Sequence, residues 1–149
     1  WVKCIKILTR EYAGYFQTQK YIWKSGGEES RPINIMKVNS CITSPSSGAS
    51  LDSNPICISG FAWSGRSEID VVDVSTDGGR TWDRADLTGP SDRYAWQQWN
   101  FVWIPASQGH YTIISRATDS LGNIQPTESV WNDLGYEVNG IKSICLTFL

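Results

Sequence analysis

The 149-residue sequence has little of what several large functional classes require. Its 13 lysines and arginines stand against 15 aspartates and glutamates, so the net charge of −2 offers no basic surplus for nucleic acid. No apolar run approaches the roughly 20 residues of a membrane-spanning helix, and no signal-peptide core opens the chain. We therefore expect a soluble protein without a nucleic-acid or membrane partner, in a compartment that the sequence leaves open.

Metal ligands are scarce as well. The four cysteines form no Cys-x-x-Cys pair, and the single histidine, His110, is far from all of them in sequence, which argues against a structural zinc site. Three cysteines lie inside apolar, strand-like runs: Cys41, Cys57 and Cys145. We expect four reduced thiols, while a bridge between Cys41 and Cys145 stays open if the first and last strands are neighbours.

What the chain does contain is a series of short apolar runs separated by glycine, proline and small polar residues. Seven of them predict strands at intervals of about ten residues. They are 38–42, 56–63, 71–74, 81–82, 95–103, 111–118 and 140–148. This pattern predicts an all-β protein, an immunoglobulin-like β-sandwich of about seven strands.

The segment before these strands is harder to assign. Residues 1–7 alternate in polarity and predict a further strand. Residues 11–21 have little periodicity and indicate a short helix or a turn. Residues 24–32 are charged, contain glycine and have no apolar residue, so they predict an exposed loop or linker.

A β-hairpin is predicted at residues 71–82. Val71, Val72 and Val74 suit one strand, Thr81 and Trp82 resume the second, and Asp77-Gly78-Gly79 forms the turn. At least one of the two glycines is expected to have a positive φ. The turn aspartate needs no catalytic role, because capping backbone N–H groups can occupy its carboxylate fully.

Eight tryptophans exceed what the core of such a sandwich usually holds, so some are expected at a surface that meets a partner. In the run 95–103, we expect Trp99 and Phe101 inside, with Trp96 or Trp103 at an interface. The simpler alternative is that all four aromatic residues are core or cross-strand partners.

No catalytic, cofactor-binding or metal-ligating residue is assigned. The aspartates at 70, 73, 77, 83 and 86 are expected to be solvated, because strand alternation scatters them over both faces. The run Asp119 to Asn123 suits a tight turn as well as a calcium-type loop. Arg116 is expected to be a surface strand arginine, with pairing to a carboxylate or a partner domain as the alternative.

Several motifs together carry a family resemblance over nearly the whole chain. They are Trp1-Val2-Lys3, Tyr15-Phe16-Gln17, Val38-Asn39-Ser40, Gly60-Phe61-Ala62-Trp63, Asp73-Val74-Ser75, Tyr94-Ala95-Trp96, Arg116-Ala117-Thr118-Asp119, Trp131-Asn132 and Asn139-Gly140-Ile141. In this order and spacing, the chain resembles the C-terminal region of the sulfite oxidase and assimilatory nitrate reductase family of molybdenum-cofactor oxidoreductases. The hairpin alone also resembles the Asp-box of sialidase-type propellers, but one copy cannot form a propeller.

The resemblance implies a domain organisation and a role. Residues 1–31 correspond to the tail of a molybdopterin-binding catalytic domain and its linker, and residues 32–149 to an immunoglobulin-like homodimerisation domain. The parent protein is expected to hold a molybdenum-pterin cofactor in its catalytic domain, while this fragment holds none and is inactive alone. Because the chain begins with Trp1 rather than methionine, we expect a piece of a longer polypeptide. The resemblance also implies a two-fold dimer made through this domain, with Trp96, Trp103 and Arg116 as interface candidates, and the eight tryptophans and the low net charge agree with it.

One position departs from the family pattern. Where sulfite oxidases are expected to direct an arginine of the last strand toward the anion pocket, the matching residue here is Ser143, and the adjacent Lys142 points to the opposite face. The alternative function is a stand-alone immunoglobulin-like binding module, with carbohydrate as one ligand class. The segment 1–20 favours the first function, because a binding module does not need a strand from a catalytic domain.

Overall fold

Alternation of side chains, rather than helix periodicity, shapes most of the chain. The computed structural model describes residues 1–27 and 29–149. Along the strand Ile56–Trp63, Ile56, Ile58 and Ala62 are buried, and the residues between them are more exposed except at Gly60. Such period-two burial is typical of a strand with one face on the core.

The described residues form eleven strands and one short π-helix, Phe16–Lys20. The strands are β1 (Ile22–Trp23), β2 (Arg31–Pro32), β3 (Asn39–Ser44), β4 (Ser50–Leu51), β5 (Ile56–Trp63), β6 (Ile69–Ser75), β7 (Asp83–Arg84), β8 (Asp86–Thr88), β9 (Gln97–Trp103), β10 (Gly109–Asp119) and β11 (Ser143–Phe148).

Nine of these strands build two sheets. The five-stranded sheet has the order β4-β11-β10-β6-β7, and the four-stranded sheet has the order β3-β5-β9-β8. Neighbouring strands are antiparallel, except that β4 runs parallel to β11. The predicted all-β, immunoglobulin-like sandwich is thereby confirmed, and the strands that the sequence did not predict in this region, β4 and β8, are two and three residues long.

The core lies between the two sheets. Trp99 of β9 is fully buried and packs against Gly60 of β5, its register partner. A Cβ atom built on Gly60 would lie 2.5 Å from the Trp99 ring and 2.0 Å from the carbonyl oxygen of Cys41. The indole therefore occupies space that only glycine leaves open, and it belongs to the same buried apolar cluster as Val72 and Ile113 of the opposite sheet. Phe101 packs against this core from a half-buried position.

Buried polar groups also join the sheets. The hydroxyl of Ser40 on β3 lies 2.9 Å from that of Ser115 on β10 and donates to the side-chain oxygen of Gln125 at 2.9 Å. The same oxygen accepts from the backbone N–H of Ala117 at 3.2 Å, and the Gln125 amide donates to Asn39 at 2.8 Å. These partners satisfy groups that would otherwise be costly to bury.

By packing, the chain divides into two units, one of residues 1–34 with 130–137 and one of residues 35–129 with 138–149. The first unit contains the π-helix and the antiparallel pair β1 and β2. Within it, the Arg31 guanidinium makes two hydrogen bonds to the Glu137 carboxylate, of 2.8 and 2.6 Å, and lies over the Trp23 ring.

Two sequence expectations were wrong in detail. Residues 1–7 form no strand in the described structure, because no described segment pairs with them and their side chains are exposed. The second arm of the hairpin begins at Asp83 rather than Thr81, because Ser75 and Asp77 hold a wider loop. The predicted linker 24–32 contains β2 at its end, and Glu28 within it lies outside the described residues.

Candidate functional site

The three dimer-interface candidates lie in three different environments. The Trp96 side chain is exposed, with 62% of its surface accessible. Trp103 is buried, and its ring meets that of Tyr111 edge to face at 4.7 Å. Arg116 lies on the outer side of the five-stranded sheet, where it contacts Asp73. Only Trp96 therefore has an aromatic surface available to a partner.

Trp96 belongs to a cluster on the outer face of the four-stranded sheet. Its ring stacks on Trp63 at 5.5 Å with an interplanar angle of 26°, and it meets Phe61 at 5.6 Å. Sequence reasoning missed Phe61 and Trp63 as partners of Trp96. Their alternation with buried residues along β5 is the signal that could have found them.

We call the outer side of β5 and β9 the aromatic face. Its members alternate with core residues and pair across the two strands: Cys57 with Val102, Ser59 with Asn100, Phe61 with Gln98, and Trp63 against Trp96. On the neighbouring strands the residues paired with this face are Asn39, Cys41 and Ser44 of β3 and Asp86 and Thr88 of β8. Among these described strand residues, Asp86 is the one acid, and none is a lysine or an arginine.

We call the outer side of β6, β7 and β10 the charged face. Arg116 of β10 lies opposite Asp73 of β6 in register, and their side chains form an ion pair of 3.2 Å. The same guanidinium lies 4.3 Å from the centre of the Trp82 ring. The aromatic residue on this side is therefore already covered by a cation of its own chain.

The turn between β6 and β7 is held by side chains of its own residues. Both Gly78 and Gly79 have a positive φ, of 75° and 97°. The Asp77 carboxylate accepts hydrogen bonds from the backbone N–H and hydroxyl of Thr81, from the Ser75 hydroxyl and from the Arg80 N–H. These bonds, chiefly those from Thr81, lower the pKa of Asp77 well below its ordinary range. The carboxylate thus has a structural role in the turn.

Asp119 has a similar structural role at the end of β10. Its buried carboxylate accepts from the Ser64 hydroxyl at 2.8 Å and from the Asn123 side-chain amide at 3.0 Å, as well as from two backbone N–H groups. Burial raises the pKa of Asp119, but the hydrogen bonds from Asn123 and Ser64 outweigh it, and the net pKa is lowered. Of the two alternatives for this loop, the geometry is that of a turn closed by an aspartate.

The remaining sequence candidates do not gather into a reactive site. Ser143 is exposed at the start of β11, opposite Ile114 in register. No group of three or more histidine, cysteine, aspartate or glutamate side chains that could hold a metal ion occurs in residues 1–27 and 29–149. All four cysteines are free thiols, with Cys41 in one sheet and Cys145 in the other. Across the described part of the chain, no helix has the length and hydropathy needed to cross a membrane.

Comparison with known proteins identifies the class of domain that this fold and surface represent. Residues 30–142 match the family model of the Mo-co oxidoreductase dimerisation domain. The chain therefore belongs to the family of molybdenum-cofactor oxidoreductase dimerisation domains, and the resemblance found in the sequence is confirmed. The alternative of a stand-alone binding module gains no support.

Individual relatives agree with this assignment. The chain is 36% identical to mitochondrial sulfite oxidase of Mus musculus over 132 residues, covering 83% of this chain and 24% of that protein. It is 32% identical to nitrate reductase [NAD(P)H] of Hordeum vulgare over 117 residues, covering 69% and 13%. The crystal structure of the sulfane dehydrogenase SoxCD of Paracoccus pantotrophus matches with a TM-score of 0.76 and 32% identity, covering 87% of this chain and 35% of that one. The chain thus spans about a quarter of the mouse enzyme.

Proposed function

We propose that this chain acts as the homodimerisation domain of a sulfite oxidase-like molybdenum oxidoreductase. The observation that carries the proposal is the family match, which extends over residues 30–142. The parent protein would hold the molybdenum-pterin cofactor in a separate catalytic domain, and the 149-residue chain alone would be inactive.

The proposed domain organisation assigns residues 1–31 to the tail of the catalytic domain and residues 32–149 to the dimerisation domain. The start of the family match at residue 30 and the division into packing units after Asn34 support a boundary in this interval. The segment 130–137 packs with the N-terminal unit although it lies within the second range. By the same resemblance, Ser143 is proposed to occupy the position of an anion-pocket arginine in the assembled enzyme.

Oligomeric state tests the dimerisation function directly. Sedimentation velocity of the purified chain over a range of micromolar concentrations is expected to show a reversible dimer. A sedimentation coefficient that stays at the monomer value throughout this range would contradict the proposal.

Metal content tests the division of labour between the domains. The purified chain is expected to contain no molybdenum by elemental analysis and to show no pterin fluorescence after denaturation, since the cofactor would be bound elsewhere in the parent protein. Molybdenum at one atom per chain would contradict the assignment of catalysis to a separate domain.

A further inference from the structure

The geometry points to a particular surface for self-association, and this inference rests on the proposed dimerisation function. We infer that the aromatic face of the four-stranded sheet binds the same face of a second copy, with Trp96 and Trp63 at its anchor. The charged face and the sheet edges would then remain outside the contact.

The aromatic face presents an exposed cluster of aromatic side chains that is already formed in the single chain. Trp96 and Val102 are 62% and 60% accessible and lie at opposite ends of the face. Trp96 is held in place by stacking on Trp63, so little conformational freedom is left to lose on binding. Tryptophan in such a setting is the residue type that most often anchors protein interfaces.

The low charge of the aromatic face also favours its contact with a second copy. In a two-fold contact the same patch lies on both subunits, so residues near the axis face copies of themselves. A face with several like charges would repel its own copy. The aromatic face carries neither lysine nor arginine among its described strand residues, and its one acid, Asp86, lies on the edge strand β8. Its centre, Ser59 beside Asn100, is neutral and can both donate and accept hydrogen bonds.

The other surfaces of the sandwich are less suited to self-association. On the charged face, Arg116 is already engaged with Asp73 and covers Trp82, so binding there would have to strip an existing ion pair. Three edge strands, β4, β7 and β8, have two or three residues each and offer few free backbone groups. The fourth edge, β3, has an irregular register between Ile42 and Ser44, which interrupts a continuous pairing edge.

Two substitutions on the aromatic face test the inference with matched controls. Trp96→Glu and Val102→Glu would each bury a carboxylate within the contact, and each is expected to raise the dimer Kd by roughly tenfold or more. Trp131→Glu replaces another exposed tryptophan, 78% accessible, in the first packing unit, and Thr112→Glu adds the same charge on β10. Both controls are expected to leave the Kd within a factor of about two of the unchanged chain.

The unaltered chain supplies a second measurement that does not depend on whether a variant folds. Cys57 is exposed on the aromatic face, and Cys145 is exposed on the outer side of the five-stranded sheet. Alkylation of each thiol can be followed by peptide mass spectrometry at concentrations below and above the dimer Kd. The rate at Cys57 is expected to fall on dimerisation, while the rate at Cys145 stays constant.

The outcomes separate this inference from the function on which it rests. A chain that never dimerises overturns the proposed function and the inference with it. A dimer that survives both Glu substitutions, or one that protects Cys145 and leaves Cys57 reactive, overturns the choice of face alone. Weakened association in Trp96→Glu and Val102→Glu, with folded controls unchanged and Cys57 protected, supports both.

Discussion

The two outer faces of the sandwich differ in whether their aromatic side chains are covered by other side chains of the same face. On the charged face, Arg116 pairs with Asp73 and covers Trp82. On the aromatic face, Trp96 stacks on Trp63, and its other side remains open to solvent. Both faces are made from antiparallel strands, and the difference lies in their outward residues.

The two faces therefore differ in how much free energy they would gain from being covered by a partner. The partly buried ion pair of Arg116 and Asp73 contributes little free energy of folding, and covering it would remove the remaining water from two charges. Exposed stacked indoles gain free energy when water is removed from them. The core beneath the aromatic face is a continuous cluster of buried apolar residues, so the open aromatic residues lie over a formed core.

The largest effect is expected from breaking the four-stranded sheet from within. Gly60→Ala would place a methyl group 2.0 Å from the Cys41 carbonyl oxygen and 2.5 Å from the Trp99 ring. Since a backbone carbonyl in a sheet cannot move aside freely, the free energy of unfolding is expected to fall by about 3 kcal/mol. Urea titration followed by tryptophan fluorescence measures this change.

The matched control for this substitution is Gly26→Ala. A Cβ atom on Gly26 meets no heavy atom within 4 Å, and the residue does not have a positive φ. Its substitution is expected to change stability by no more than about 0.5 kcal/mol. Equal stabilities of the two variants would mean that Trp99 does not depend on the space at Gly60.

A smaller effect is expected from the turn that closes the five-stranded sheet. Gly79 has a φ of 97°, and a Cβ atom there would lie 3.3 Å from the side chain of Ile114. Gly79→Val is expected to cost on the order of 1–2 kcal/mol, because a β-branched residue is strained in that conformation. The same urea titration applies, and Gly26→Val is the control. The dimer Kd should not change, since the turn lies outside the aromatic face.

The smallest effect is expected at Asp77 and appears in the pH dependence of stability. Because folding lowers the pKa of this carboxyl, its stabilising contribution is complete at neutral pH and is lost as the pH falls below about 4. Asp77→Asn removes this contribution. The urea midpoints of the variant and the unchanged chain should therefore differ at neutral pH and converge in acid.

Asp83→Asn, at an exposed aspartate of the neighbouring strand β7, controls for loss of a negative charge. This variant is expected to follow the unchanged chain at every pH. A constant difference between Asp77→Asn and the unchanged chain down to acid pH would show that the charge of Asp77 does not support the turn.

Much of the strand content was predictable from alternation and turn residues. The prediction for 56–63 coincides with β5, and the prediction for 95–103 contains β9, because each has one face on a continuous core. Residues 1–7 also alternate, yet they form no strand in the described structure, since alternation without a neighbouring strand leaves backbone groups unpaired. Local pattern therefore predicts which residues can form a strand, and pairing decides which of them do.

The sandwich fold, its family and the burial of Trp99 could be predicted from the sequence, because they follow from period-two patterning and from ordered motifs along the chain. The stacking of Trp63 on Trp96 and the burial of Trp103 are visible only in the tertiary structure. The same is true of the hydrogen bonds that Ser64 donates to Asp119 and Ser40 donates to Gln125. These partners are separated in sequence by 33 residues for the tryptophan pair and by 55 and 85 residues for the two polar pairs. A contact over such a distance depends on strand order and register, which no local pattern encodes.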